Sequence, residues 1–286
     1  MDETGDRIYV VRMKKLVSLA AVAAACLAFA PSAGAITFGQ LDGNTHPNVG
    51  GLFADYDPEV PGPDFLCSGT LISPTAFLTA SHCTAFLESL GIAPDDVLVS
   101  FSPDAATDDG ALDPSAQRLD GTFHTHPRFG PHFGDGDPHD IAVVTLDSPY
   151  LGATPASLPR LNEFAGKKNL LGSQYTAVGY GDVREIKQKG SNALFFDGQR
   201  RFVAQTLTGL TKIWLKMTMN PLKDSGGTCF GDSGGPHFAG TGSQTYPGEV
   251  VALTVGGDGA CRSTDVDYRL DTASARAFLD DFVTLP

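Results

Sequence analysis

Short apolar runs, broken every few residues by Gly, Pro or Asp, leave this chain little room for anything but β-structure. Its 286 residues include 33 glycines and 19 prolines. Gly69-Thr70-Leu71-Ile72-Ser73-Pro74-Thr75-Ala76-Phe77-Leu78 alternates well enough for a hairpin, and Ile141-Ala142-Val143-Val144 reads as a continuous apolar strand. Helical periods are few, and there is no internal repeat or long low-complexity tract. The pattern predicts an all-β barrel or sandwich. The exception is the C-terminus, where Asp271-Thr272 offers an N-cap and Phe278, Leu279, Phe282 and Val283 share one helical face. A short C-terminal helix packed on the last β-layer is predicted there.

The first 35 residues are not expected to belong to the fold. Met13-Lys14-Lys15, an apolar run over 16–30 and then Pro31-Ser32-Ala33-Gly34-Ala35 have the charged start, apolar centre and small-residue cleavage site of a secretory signal peptide. Residues 1–12 are polar and unlike a leader, which places the true start at Met13. The apolar centre is short for a membrane span, so the mature form is expected to have none. A lipoprotein reading with Cys26 as the acylated residue is weaker, because Ala23-Ala24-Ala25 lacks a large apolar residue before the small pair. The remainder is long enough for two small barrels with one core each.

The formal net charge of −13 argues against nucleic acid or an anionic membrane as a partner and favours solubility outside the cell. The acidic stretches at Asp104 to Asp113 and at Asp135-Gly136-Asp137 carry oxygen ligands that suit calcium. Neither fits the EF-hand spacing, and both read as solvated loops. His124, His126, His132 and His139 crowd one region and are read as a loop. No metal or cofactor is expected.

The chemistry centres on Gly231-Asp232-Ser233-Gly234-Gly235-Pro236. A serine hydroxyl is a poor nucleophile at neutral pH and needs a base within reach, together with donors aimed at the oxyanion that follows attack. The glycines let the backbone turn so that the N–H groups of Gly231 and Ser233 converge while the hydroxyl stays exposed. Upstream, Thr79-Ala80-Ser81-His82-Cys83 delivers a histidine at a predicted strand end, and His139-Asp140 puts a carboxylate at the start of an apolar strand.

Together these blocks resemble the trypsin/chymotrypsin-like serine proteases over residues 36–286, in the chain order His, Asp, Ser that this fold uses. His126-Pro127-Arg128-Phe129, Val178-Gly179-Tyr180-Gly181 and Tyr268-Arg269-Leu270 fall where the family has similar stretches. The resemblance implies two antiparallel Greek-key six-stranded β-barrels with the active site between them. Residues 36–150 would form the N-terminal barrel, carrying His82 and Asp140. Residues 151–286 would form the C-terminal barrel, carrying Ser233 and the helix, with the join near Pro149, Pro155 and Pro159.

The resemblance also implies a secreted endopeptidase acting on polypeptide substrates through an acyl-enzyme. His82, Asp140 and Ser233 would be catalytic, with Gly231 and Ser233 as the oxyanion hole. Cys67 would pair with Cys83 and Cys229 with Cys261, and neither pair has the C-x-x-C spacing of a zinc site. Gly227 and Thr228 would floor the primary pocket and Thr254-Val255-Gly256 would wall it, favouring apolar or aromatic side chains. Asp224, Asp265 or Asp267 swinging into that pocket would favour Arg or Lys instead. Ile36, just after Ala35, would pair its freed amine with Asp232; Thr37-Phe38 departs from the family's Val-Gly, and the alternatives are a buried internal cation serving Asp232 or a strand start at Ile36 with no such role. A catalytically silent binding protein on this fold and an esterase using the same triad are the alternatives. The oligomeric state is left open, a monomer being the default.

Overall fold

The computed structural model describes residues 36–130, 136–184, 194–220 and 225–286. The expected leader, with Met13 and Cys26, and residues His132, Asp135 and Asp224 lie outside them. Among the described residues no helix is long and apolar enough to cross a membrane.

Six strands close the first barrel: β2 (Val49–Ala54), β3 (Asp64–Ser73), β4 (Ala76–Thr79), β5 (Val97–Ser100), β6 (Leu119–Thr125) and β7 (Ala142–Leu146). Their order around it is β2-β3-β4-β7-β6-β5, every pair antiparallel. The predicted hairpin is β3–β4, with Thr70 opposite Leu78. Leu52, Leu71, Phe77, Val99 and Val144 fill the interior.

The second barrel repeats the design with β8 (Gln174–Gly179), β9 (Arg201–Leu210), β10 (Trp214–Thr218), β11 (Pro236–Ala239), β12 (Val250–Gly257) and β13 (Thr264–Arg269). Here the order is β8-β9-β10-β13-β12-β11, closed by β11 on β8. The short β1 (Gln40–Leu41) pairs with β9. The N-terminal stretch is thus laid on the second barrel, whereas the sequence reading grouped it with the first. One apolar cluster joins the two barrels, with Val49, Phe53, Ile72 and Ile141 from one side and Tyr180, Phe238, Leu253 and Tyr268 from the other.

Among the described residues two α-helices are present where one was expected. Helix α1 (Ser81–Leu90) follows β4 directly, where only a strand end was expected. It stops at Gly91, whose φ of 80° suits a residue without Cβ and lets its N–H reach the carbonyls of Leu87 and Glu88. Helix α2 (Ala273–Leu279) is the predicted C-terminal one, with Thr272 accepting a hydrogen bond from the Ala275 N–H. Its packing goes beyond the sequence expectation, because it also reaches the first barrel: the Phe278 and His126 ring centroids lie 4.9 Å apart, and Ser274 Oγ lies 2.6 Å from His139 Nδ1. The histidine-rich region supplies the polar and aromatic partners for that contact, and His126 and His139 stack with ring centroids 4.6 Å apart.

Candidate active site

His82 sits in the first turn of α1, where helical N–H groups lack partners. Ala80 at the N-cap offers no side-chain oxygen. Asp140 supplies it from the loop before β7: Oδ1 accepts the His82 backbone N–H at 2.9 Å and Oδ2 lies 2.9 Å from His82 Nδ1. One carboxylate therefore caps the helix and orients the ring. Ser81 Oγ donates to the Ile141 carbonyl at 2.6 Å and accepts the His126 N–H at 2.9 Å, which ties the two segments together again. Asp140 is buried, while the His82 side chain keeps 31% of its surface exposed. With Nδ1–H directed at the carboxylate, Nε2 is the free nitrogen.

The loop from Cys229 to Pro236 packs against the same place. The Ser68 N–H donates to the Ser233 carbonyl at 2.9 Å, and Ser68 Oγ donates to the Gly231 carbonyl at 3.0 Å. Gly234 adopts φ +75°, and a side chain there would collide with Thr79 Oγ1 and the Ala80 backbone, just before His82. Ser233 is partly exposed at this seam between the barrels. Among the described residues its Oγ makes no hydrogen bond with His82, a looseness common before substrate binds. The N–H groups of Asp232, Gly234 and Gly235 all find backbone acceptors, in Cys229, Thr254 and Asp232 respectively. Those of Phe230, Gly231 and Ser233 find none among the described residues. The last two are the pair expected to face an oxyanion.

Asp232 points away from the cleft. Its Oδ1 accepts the Gly181 N–H and its Oδ2 the Cys229 N–H, both at 2.8 Å. Side chains at Gly179 or Gly181 would strike this carboxylate, which accounts for the Gly-Tyr-Gly stretch. Complete burial outweighs the two hydrogen bonds and pushes its pKa up to about 7. Ile36 is fully buried, and Thr37 exchanges backbone hydrogen bonds of 2.7 and 3.0 Å with Gly227.

The disulfides join Cys67 to Cys83 and Cys229 to Cys261, with Cα separations of 6.4 and 5.3 Å. The first ties β3 to the residue after His82; the second ties the serine loop to the segment before β13. Of the pocket residues, Gly227 lies against the buried Met219 side chain, Thr228 is buried, and the Thr254 backbone is bonded to Gly234 and Gly235. Gly256 has open space where a side chain would stand.

Asp265 and Asp267 do not reach a surface pocket. Both are fully buried inside the second barrel beside His237: Asp267 Oδ1 lies 2.8 Å and Asp265 Oδ2 3.8 Å from His237 Nε2. Gln205 Nε2 donates to Asp265 and His237 Nε2 lies 3.0 Å from Thr254 Oγ1. Burial, then the Asp265 charge, pushes Asp267 up to about 8, against the pull of His237. Burial lowers His237, but the two carboxylates outweigh it and raise its pKa. His237, Asp265 and Asp267 are close enough to hold a cation; Cys67, His82 and Cys83 also cluster, but their thiols are in a disulfide.

A second buried network was equally missed. Arg200 donates from Nε to Asp42 and from Nη1 to the carbonyls of Val49 and Phe101, while Asp42 lies 2.5 Å from His46 Nδ1. It fastens the N-terminal segment to both barrels.

Compared with known proteins, residues 55–276 match the family model Trypsin. No curated protein gives a match.

Proposed function

The chain belongs to the trypsin family, and from that premise we propose that it is an exported serine endopeptidase working through His82, Asp140 and Ser233. The observation that carries the reading is the double contact of Asp140 with His82, set beside a serine loop whose Gly231 and Ser233 N–H groups have no other acceptor among the described residues.

In this reading Ser233 Oγ attacks the peptide carbonyl as its proton passes to His82 Nε2. Asp140 holds the tautomer and stabilises the imidazolium. The Gly231 and Ser233 N–H groups receive the oxyanion, an interaction whose loss costs roughly 100- to 1000-fold in turnover. His82 returns the proton to the leaving amine, and water then releases the acyl group. Gly227, Thr228 and the Thr254–Gly256 wall form the primary pocket. With Met219 beside Gly227 and both Asp265 and Asp267 turned into the barrel, that pocket selects apolar or aromatic side chains. A freed Ile36 amine pairing with Asp232 would bring a positive charge to this buried carboxylate. The two disulfides suit an oxidising compartment, and the substrates are polypeptides.

Incubating the purified protein with a peptide library and mapping the cut sites tests the reading. Cleavage after Phe, Tyr, Leu or Met is expected, and it disappears in Ser233→Ala. Cleavage that survives this change, or none with the wild type, contradicts it.

A further inference from the structure

A concave site adjoins the serine loop on the side that the proposed pocket does not use. It is a cavity of about 330 Å³ whose lining includes Tyr56, Phe65, Phe196, Phe230, Asp108 and Asp182. Three features connect it to the reacting centre. Gly231, the donor of one free N–H, lines it, and a side chain on Gly231 would collide with the Phe65 ring. Phe65 stacks on Phe196 with centroids 5.3 Å apart, so the wall is a rigid aromatic surface. Phe65 also lies two residues before Cys67, which is bonded to Cys83 beside His82.

That position sets which half of a substrate the cavity meets. With the carbonyl oxygen held by Gly231 and Ser233, the acyl half runs along Thr254–Gly256 on the second barrel. The leaving amine must face His82, which gives it a proton, and so lies on the first-barrel side, where Phe65 stands. The composition sets the side chain. Aromatic walls accommodate a long methylene stem, and Asp108, Asp109 and Asp182 line the cavity with carboxylates. Asp182 has no cationic partner among the described residues, and Asp108 and Asp109 are exposed.

We infer that this cavity binds a lysine or arginine side chain from the first two residues after the scissile bond, making the protein selective for a basic leaving group. The inference rests on the peptidase reading and extends it to a second substrate position.

Acyl transfer tests the two separately. The N-acetyl amino-acid ester turned over fastest forms the acyl-enzyme, seen as a burst of released alcohol. Added amines then compete with water. The amine nitrogen bonds to the acyl carbon, the ester bond to Ser233 Oγ breaks, and the proton lost by the amine passes through His82 to Ser233.

Arginine amide, lysine amide and the dipeptide amide Ala-Arg-NH2 are compared with leucine amide, alanine amide and Ala-Ala-NH2. At least one basic amine of each size is expected to partition about tenfold or more ahead of its neutral counterparts. Asp182→Asn combined with Asp108→Asn and Asp109→Asn should reduce that ratio at least fivefold while ester hydrolysis stays unchanged. The double variant Asp108→Asn/Asp109→Asn, confined to exposed residues, should give a smaller drop and guards against misfolding of the triple one. A burst with equal partitioning of all amines overturns the inference and leaves the peptidase reading standing. So does a basic preference that persists in the folded triple variant. Absence of any burst overturns both.

Discussion

The two barrels share a strand number and a mode of closure but not an interior. The first is filled by Leu52, Leu71, Phe77, Val99 and Val144, and the residues it gives to the site, His82 and Asp140, stand at its edge. The second encloses His237, Asp265 and Asp267 with none of their surface exposed, near enough to Asp232, the residue before Ser233, for their charges to act on one another. An apolar core is indifferent to pH and resists deformation. A buried group of ionisable side chains depends on its proton count, because a charge without a partner in that setting is costly. The difference is that one barrel holds His82 and Asp140 on an apolar frame, while the other sets buried ionisable groups beside the serine loop.

The comparison breaks most visibly at the seam. Asp140→Asn should keep the fold but reverse the donor at His82 Nδ1, with kcat expected to fall about 10⁴-fold, the size seen when this tautomer is lost elsewhere. Steady-state kinetics on the cleanest peptide substrate decide it, and a loss below tenfold removes Asp140 from the mechanism.

The apolar frame is tested by Phe77→Ala, which should cost about 3–5 kcal/mol in urea unfolding, by the same amount at pH 5 and pH 9. A pH-dependent penalty would mean that the first barrel is not the indifferent one.

If the active chain begins at Ile36, extending it by one or two residues should reduce turnover on the order of 100- to 1000-fold, as if an oxyanion donor were withdrawn, with phosphonate labelling slowed in parallel. If Ile36 is the active N-terminus, its amine gains a partner in Asp232. Its folded pKa then lies above the roughly 7.7–8.0 of a free α-amino group. The pairing is complete below that unfolded value and fades as pH rises through the folded one, so activity declines in alkali. Full activity in an extended form sinks the pairing.

The smallest effect is the pH slope of the second barrel. Asp267 holds its proton in the folded protein up to about pH 8, whereas the unfolded chain releases it near 3.8. Stability from this group is therefore present at low pH and drains away as pH rises toward the folded value. The urea midpoint should fall between pH 5 and pH 9, and Asp267→Asn should flatten the fall. A midpoint that climbs over this range contradicts the account.

Much of this was legible in the chain because β-barrels and serine loops leave local signatures. The β3–β4 hairpin, the α2 cap at Thr272 and the glycines around Ser233 are each dictated within a few residues. What was not legible depended on distant partners. In the sequence, Asp265 and Asp267 stand out only as charges that could swing into the primary pocket, since charged residues are seldom buried. The fold takes them inside the second barrel because His237 and Gln205, from other strands, meet the carboxylates there. Helix α1 escaped notice because its N-cap is supplied by Asp140, 58 residues away in sequence, rather than by a neighbour. The lone pointer to the inner cluster was His237 itself, a basic residue within the apolar strand that follows the nucleophile loop.

The central claim is that Ser233 is a nucleophile made reactive by a base and an acid from the other barrel. Labelling the purified protein with a fluorophosphonate and locating the adduct by peptide mass spectrometry tests it most directly. The account predicts one phosphonylated residue, Ser233, with the labelling rate collapsing in folded His82→Ala. An adduct on another serine, no adduct at all, or undiminished labelling without His82 would contradict it.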